Sequence, residues 1–346
     1  ENELKAPGSN EYGRVDRVAG WFLLARMYLN AQTWINENKY QEAYAYAVKV
    51  IADGHYPLAS DYREIFLADN NTCKEIIWPL VQDGLRAQSS AGTNFYVKAF
   101  VNGPMDELYK TGVGSRGWGN VRAKVSLVDA FDADDVMFDG NDTWGNNKKD
   151  KRAQFMTALP NQVKDTWDVN MDMTSTFTCG YGYIKWRNVT KEDELCPSGD
   201  AYTSIDFPLF RTADAYLMAA EAILRGANGT QSEALGYVNE VRTRAYMSGK
   251  YAKNGVRSDV SGEITANELN LDFLLVERQK ELASELTRRT DLIRFGKYTK
   301  GNNWDWKNGV RLGADVDDKY NLFPIPESEL TNNPTLVQND GYKVIK

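Results

Sequence analysis

The chain has little of what metal and redox chemistry needs. Its 346 residues include three cysteines, Cys73, Cys179 and Cys196, and one histidine, His55. No two cysteines form a CxxC pair, so a structural zinc site lacks ligands. Cys179 and Cys196 lie near enough in sequence to pair in an oxidising compartment, and equally fit two separate buried thiols. No apolar run approaches the ~20 residues that a membrane-spanning helix requires. Positive charge is in the minority, 41 Lys and Arg against 48 Asp and Glu, for a formal charge of -7. That balance opposes a phosphate-tracking surface and argues against nucleic acid as a partner. Motifs of the GxSxG, HExxH and phosphate-loop kinds are missing, so no nucleophile elbow, zincin helix or nucleotide cradle is offered. An acidic run at Asp132, Asp134, Asp135, Asp139 and Asp142 has the hard oxygens that calcium takes. It lacks the glycine and glutamate spacing of an EF-hand and reads as a solvated loop. The expectation is a protein with no metal site, no cofactor and no catalytic residues.

What is present is core-forming. Apolar residues make up 42% of the chain and aromatics 12%, including 9 Trp and 19 Tyr, rings that pair a flat apolar face with a polar handle. Val18, Trp21, Phe22, Ala25, Tyr28 and Leu29 follow the i, i+3, i+4, i+7 rhythm of an amphipathic helix. Tyr40, Ala43, Tyr44, Ala47, Val50 and Ile51 repeat it after a polar turn and end at Asp53-Gly54. The two predict an antiparallel hairpin of tetratricopeptide-like length, with Ala25, Ala43 and Ala47 allowing close approach. A second unit recurs at 213–246, on Ala213, Leu217, Ala220 and Leu224, then Ala234, Val238, Val241 and Ala245, with Asn228-Gly229 as its turn. A long helix is predicted from Thr265, with Glu268 closing a capping box, through to Gly296. Two such units need further helices to bury their outer faces, which the sequence reading places ahead of Glu1.

The intervening stretch is rich in Gly, Asn, Asp, Ser and aromatics and must have a fold of its own. Strand-like runs occur at Glu75–Leu80, Asn94–Phe100 and Tyr181–Arg187, and a helix is possible at Ser126–Phe131. The fold class expected is therefore mainly α: tetratricopeptide-like helical hairpins packed against an irregular, loop-rich subdomain with short strands. The division expected is 1–57 as an N-terminal helical hairpin, 58–206 as the loop-rich ligand-binding subdomain, and 207–346 as a C-terminal helical unit and tail packed with 1–57.

Three segments carry a family resemblance: FPLFRTADAYLMAAEAILRG at 207–226, ERQKELASELTRRTDLIRFGK at 277–297, and LFPIPESELTNNPTLVQNDGY at 322–342. Their order and spacing resemble the SusD/RagB family. The matching residues include Arg211 before Ala220-Glu221-Ala222, the series Glu277, Arg278, Glu281, Glu285, Arg288, Asp291, Arg294 and Gly296, and Pro324-Ile325-Pro326. Asp214 stands where the family usually has Glu, Leu286 and Thr287 where it has Gly and His, and Arg289 and Phe295 where Trp is common. The resemblance implies a glycan-binding outer-membrane lipoprotein on the cell surface, which captures oligosaccharides and passes them to a SusC-like TonB-dependent transporter. Some members of the family bind peptides instead. It also implies an N-terminal portion, with a lipid-bearing cysteine as membrane anchor, upstream of Glu1. Glu277, Glu281 and Glu285 read as local partners of Arg278, Arg288 and Arg294.

Sugar recognition needs aromatic faces for the C–H side of pyranose rings and polar groups for the hydroxyls that leave water. Residues 83–120 supply both, and the candidate glycan-binding set is Trp118, Tyr109, Arg116, Asn120, Tyr96, Asn94, Asp83 and Arg86, with Phe95 among them in sequence. Trp118, between Gly117 and Gly119, is the leading ring; the alternative is a loop anchor packed on the helices. Trp144, Trp167, Tyr181, Tyr183 and Trp186 form a second aromatic group that also fits a half-buried strand. Trp304 and Trp306 sit in an Asn- and Gly-rich loop as a candidate interface. An aromatic cleft would also suit a glycoside hydrolase, whose two carboxylates sequence alone does not locate.

Overall fold

The computed structural model describes residues 3–101, 110–136, 148–156, 181–247, 261–301, 304, 310 and 313–343. Residues Glu1–Glu285 form one compact unit and Leu286–Lys346 another.

The first unit is built on helices that the apolar spacing predicts. Helix α1 (Arg17–Ile35) starts at Asp16, whose Oδ1 accepts from the N–H groups of Val18 (2.9 Å) and Ala19 (3.1 Å). These are two of the donors that a helix start leaves unpaired. Helix α2 (Tyr40–Asp53) stops at Gly54, which takes the left-handed conformation (φ 79°) that a side chain would disfavour. Val18, Phe22, Ala25 and Leu29 of α1 meet Ala43, Ala47 and Val50 of α2 in one buried cluster.

The chain then forms strand β1 (Ile76–Leu80), the short helices α3 (Thr93–Lys98), α4 (Val125–Val128) and α5 (Ala133–Val136), and strands β2 (Phe155–Met156), β3 (Gly182–Tyr183) and β4 (Phe207–Arg211). β1 pairs antiparallel with β4, Ile76 opposite Arg211 and Leu80 opposite Phe207, and β2 pairs with β3. Helix α6 (Thr212–Leu224) follows β4 directly and places Ala215, Met218, Ala219 and Ala222 in the α1–α2 cluster. Its other side packs Ala213, Leu217 and Ala220 on Ala234, Val238 and Val241 of α7 (Gln231–Met247) and Leu274 of α8 (Leu271–Leu282). The expected mainly α architecture, helical hairpins with a loop-rich layer of short strands, is what the chain adopts.

Two expectations change. The Asn94–Phe100 run holds helix α3 through Lys98, not a strand: Thr93 and Val97, four apart, are both buried, and Val97 enters the core with Tyr62, Phe66 and Trp186. Helical spacing of the buried residues overrides the β-preference of the rings. The long helix predicted from Thr265 to Gly296 is two, α8 and α9 (Arg288–Arg294). Thr265 and Glu268 do form their hydrogen-bonded pair (2.8 Å), but around a turn; α8 starts at Asn270, whose Oδ1 accepts from Phe273 N–H (2.9 Å). At its far end the carbonyls that a helix leaves unpaired are taken by buried donors. Arg211 Nη2 (2.7 Å) and the Tyr62 hydroxyl (3.1 Å) donate to Glu281 O, and Lys185 Nζ (2.8 Å) donates to Ala283 O.

Those donors belong to a buried ionic lattice that joins the helices to the looped layer. Glu277 takes Arg152 and Arg242, each at 2.6 Å; Glu281 takes Arg211 (2.7 Å), Arg152 (3.1 Å) and Arg244; Glu285 takes Lys185 (2.5 Å) and Arg211 (2.6 Å). Arg278 pairs with Asp214 at 2.8 Å; within the second unit Arg294 pairs with Asp291 at 2.7 Å. The three glutamates therefore bind cations distant in sequence. Burial opposes ionisation of Glu281, but Arg244, Arg211 and Arg152 overcome it and hold its carboxyl well below the usual range. Asp214 is held at about 2 in the same way, by Arg278 and Arg26 against its burial. Burial pushes the Lys185 ammonium down to about 8, with Glu285 resisting the shift.

Candidate functional site

The face bearing the leading candidate ring is assembled around α3. Thr93 Oγ1 donates to Ile205 O (2.7 Å), and Asn94 Oδ1 accepts from Thr203 N–H (2.9 Å) while its amide donates to Ser89 O. The first turn of α3 is thereby pinned to residues 203–205. Consecutive residues of a helix point about 100° apart, so Phe95 and Tyr96 diverge. Tyr96 turns toward the core, 5.4 Å from the Trp186 ring centroid and 5.7 Å from Phe207, whereas Phe95 stays 43% exposed.

Carbonyls at the end of α3 then recruit the glycine-flanked loop. The N–H groups of Trp118 and Gly119 donate to Lys98 O and Val101 O, each at 2.8 Å, and those of Asn120 (3.0 Å) and Val121 (2.9 Å) both donate to Ala99 O. Gly119 makes this possible at φ 58°, a left-handed conformation that costs other residues energy. The result sets the Trp118 ring 6.3 Å from Phe95, centroid to centroid, with the planes 58° apart. Trp118 is 40% exposed. Two fixed, exposed, non-coplanar rings form an angled platform.

Polar groups border it. Arg116 Nε pairs with Asp200 Oδ1 at 3.0 Å. Lys98 donates to Ala201 O, and its ammonium lies 5.8 Å from the Tyr202 ring centroid; burial and the nearby Arg116 lower its pKa. Asn120 is exposed at the loop edge. Asp83 and Arg86 occupy another turn, where Asp83 Oδ1 accepts from Leu85 N–H (2.9 Å) and Asp83 Oδ2 lies 3.8 Å from Nη1 of a largely exposed Arg86. That turn leans on Ser204 through the Gly84 N–H (3.2 Å), so it borders the segment that carries Asp200 and Tyr202.

Of the expected set, the structure brings Trp118, Arg116 and Asn120 together on one loop, with Tyr96 behind. Asn94 is a correction: at 1% exposure, with both ends of its amide bonded to backbone, it positions α3 and does not face solvent. Tyr109, Trp144, Trp167, Trp306 and Cys179 lie outside the described residues, and with Cys179 the pairing question; among described residues Cys73 and Cys196 are buried free thiols. Phe95, left out of the candidate set, is Trp118's partner. The sign that would have found it is helical phase, hidden because the segment read as a strand. Tyr181, Tyr183 and Trp186 are buried core rings. Trp304 is half-buried, its indole N–H on Tyr298 O (2.8 Å), which corrects its reading as an open interface ring. In the acidic run, Asp135 is buried and accepts from the N–H groups of Lys149 (2.7 Å) and Asp150 (3.0 Å); Asp139 and Asp142 lie outside the described residues.

A tetratricopeptide-like helical scaffold that carries a looped layer with an open aromatic face defines the class. The SusD family model matches residues 74–342. The starch-binding protein SusD of Bacteroides thetaiotaomicron is 32% identical, across 99% of this chain and 63% of that protein. SusD-like protein P25 of Formosa agariphila is 25% identical, across 95% of this chain and 59% of that protein. The chain thus spans about three fifths of the length of these two curated relatives. Among solved structures, surface glycan-binding protein A from Bacteroides thetaiotaomicron in complex with laminarihexaose superposes with a TM-score of 0.64 at 22% identity, over 98% of this chain and 67% of that one. A SusD-like protein from Bacteroides fragilis gives 0.65 at 21%, over 99% and 68%. This chain belongs to the SusD family.

Proposed function

We propose that the chain is the ligand-holding part of a cell-surface glycan-binding protein that captures oligosaccharides and delivers them to a SusC-like TonB-dependent transporter in the outer membrane. The observation that carries this reading is the angled Phe95–Trp118 pair, exposed and fixed from behind by α3. An oligosaccharide curves from ring to ring, and two faces set at an angle follow that curve, covering C–H faces of successive sugars. Arg116, Asn120 and the Asp200 carboxylate stand beside the rings as partners for hydroxyls. Residues 58–206 carry the ligand in this reading, and the helical parts within 1–57 and 207–346 are the docking side toward the transporter. Attachment to the membrane falls to a lipid anchor upstream of Glu1.

Capture without cleavage fits the chemistry of the face. Asp200, beside the loop, is tied to Arg116 at 3.0 Å and so is committed to an ion pair, unlike the free nucleophile or base of a glycosidase pair. Two of the similar proteins, the starch-binding protein SusD and surface glycan-binding protein A, are binding proteins by name, which favours the same reading over a hydrolase. The test is to incubate the protein with maltoheptaose and laminarihexaose and measure retention and released sugar together. Retained, uncut oligosaccharide that Trp118→Ala holds about tenfold more weakly is the outcome expected. Released sugar would replace the reading with a hydrolase, and retention unchanged in Trp118→Ala would move the site.

A further inference from the structure

A cleft of about 320 Å3 is lined by residues drawn from 8–14 and 71–79 together with His55 and Tyr56. It shares no residue with the Phe95–Trp118 platform. Its size is at the small end of ligand pockets, which run ~300–1,000 Å3, room for one or two sugar rings and not for a long chain.

The walls are fixed before any ligand arrives. Gly8 (φ 64°) donates its N–H to Asp16 Oδ2 (2.8 Å), and a Cβ there would meet the His55 ring at 2.7 Å. Gly13 (φ 81°) offers its carbonyl to Trp78 Nε1 (3.3 Å), and a Cβ there would meet Val81 at 2.9 Å. Between them Tyr12 is held at its far end, where the hydroxyl donates to Asp206 Oδ2 at 2.5 Å, while the residue remains 49% exposed. A preset wall lowers the ordering cost of binding.

The lining is also donor-rich. The carboxylates around the cleft are already committed: Asp16 to Gly8 and Tyr56, Asp53 to His55, and Asp206 to Tyr12 and the Gln82 N–H. Glu11 pairs with Arg14 through Nε alone, at 3.0 Å. Asn71 and Lys74 line the cleft, are exposed, and have no hydrogen-bond or ion-pair partner among the described residues. An open ring beside a free ammonium and a free amide is the chemistry that holds a sugar by its C–H face and its carboxylate.

We infer that this cleft is a second saccharide site, specific for a sugar acid such as a terminal hexuronate, with Tyr12 as the stacking ring and Lys74 and Asn71 as carboxylate and hydroxyl partners. It stands on its own lining and survives failure of the platform reading. The experiment is ligand-observed NMR and calorimetry on the full chain with sodium glucuronate and glucose as probes, in the wild type, in Trp118→Ala, and in a Lys74→Ala/Asn71→Ala variant. Both positions of the last variant are exposed, so its fold is kept. Glucuronate is expected to bind at millimolar concentration, equally in Trp118→Ala, about tenfold more weakly in the Lys74→Ala/Asn71→Ala variant, and more tightly than glucose. No glucuronate binding, binding lost in Trp118→Ala, binding unchanged in the double variant, or glucose binding as tightly would each overturn the assignment.

Discussion

Replacing Glu281 by glutamine changes shape hardly at all and charge completely. The Glu281 carboxylate is fully buried and faces three guanidiniums, Arg211 (2.7 Å), Arg152 (3.1 Å) and Arg244. An amide there leaves three buried cations with one anion fewer and turns an N–H donor toward donors. Removing one partner of a buried ion pair costs about 3–5 kcal/mol, because the remaining charge is left without compensation. Unfolding entropy of ~2.1 cal/mol/K per residue over the unit Glu1–Glu285 comes to about 0.6 kcal/mol/K. The expected fall in Tm is therefore roughly 5–8 °C. Differential scanning calorimetry, with Trp fluorescence in urea as a second probe, reads it directly. A Glu281→Gln protein melting within a degree of the wild type would refute the reasoning, since the lattice would then contribute nothing that the amide cannot replace.

Other outcomes follow from the same contacts. Lys185 has a folded pKa of about 8 against 10.5 for the free side chain, so between those values the unfolded chain binds more protons and stability rises with pH. Lys185→Met should abolish that alkaline rise in urea titrations at pH 8 and 10; an unchanged slope would show that Lys185 is not its source. Gly119→Ala places a Cβ at φ 58° and costs ~1–2 kcal/mol locally. Because the strain falls on the loop that aims Trp118, oligosaccharide affinity by calorimetry should drop while Tm moves little. Asn94→Ala removes the clamp between α3 and residues 89 and 203 and should lower stability by about 1–3 kcal/mol in urea melts. A wild-type midpoint would show that the clamp is dispensable.

Much of the scaffold was legible because helix periodicity is a local signal: Val18, Phe22, Ala25 and Leu29, then Ala43, Ala47 and Val50, announce their faces within a few turns. What escaped depends on residues far apart in sequence. The break after Leu282 exists because Arg211 and Lys185 reach the carbonyls at the end of α8, and nothing in the sequence around Ala283 reports that. Glu277, Glu281 and Glu285 looked like members of local i, i+4 pairs, yet Arg152, Arg211, Arg242 and Arg244 arrive from other elements. At the candidate site Trp118 was visible through its flanking glycines. Phe95 was not, since a run with two rings and a valine reads as a strand until the core fixes Thr93 and Val97 on one side. Asn94 carried the right chemistry for a ligand and was drawn inward by Thr203 and Ser89.

The measurement closest to the central claim is calorimetric titration of maltoheptaose and laminarihexaose into the wild type, Phe95→Ala and Trp118→Ala, with Tm recorded for each. If the two rings are the platform, each truncation weakens the bound oligosaccharide by about tenfold, roughly 1.4 kcal/mol, while Tm stays at the wild-type value, since both rings are substantially exposed. Oligosaccharide binding at wild-type affinity in both variants would contradict the account.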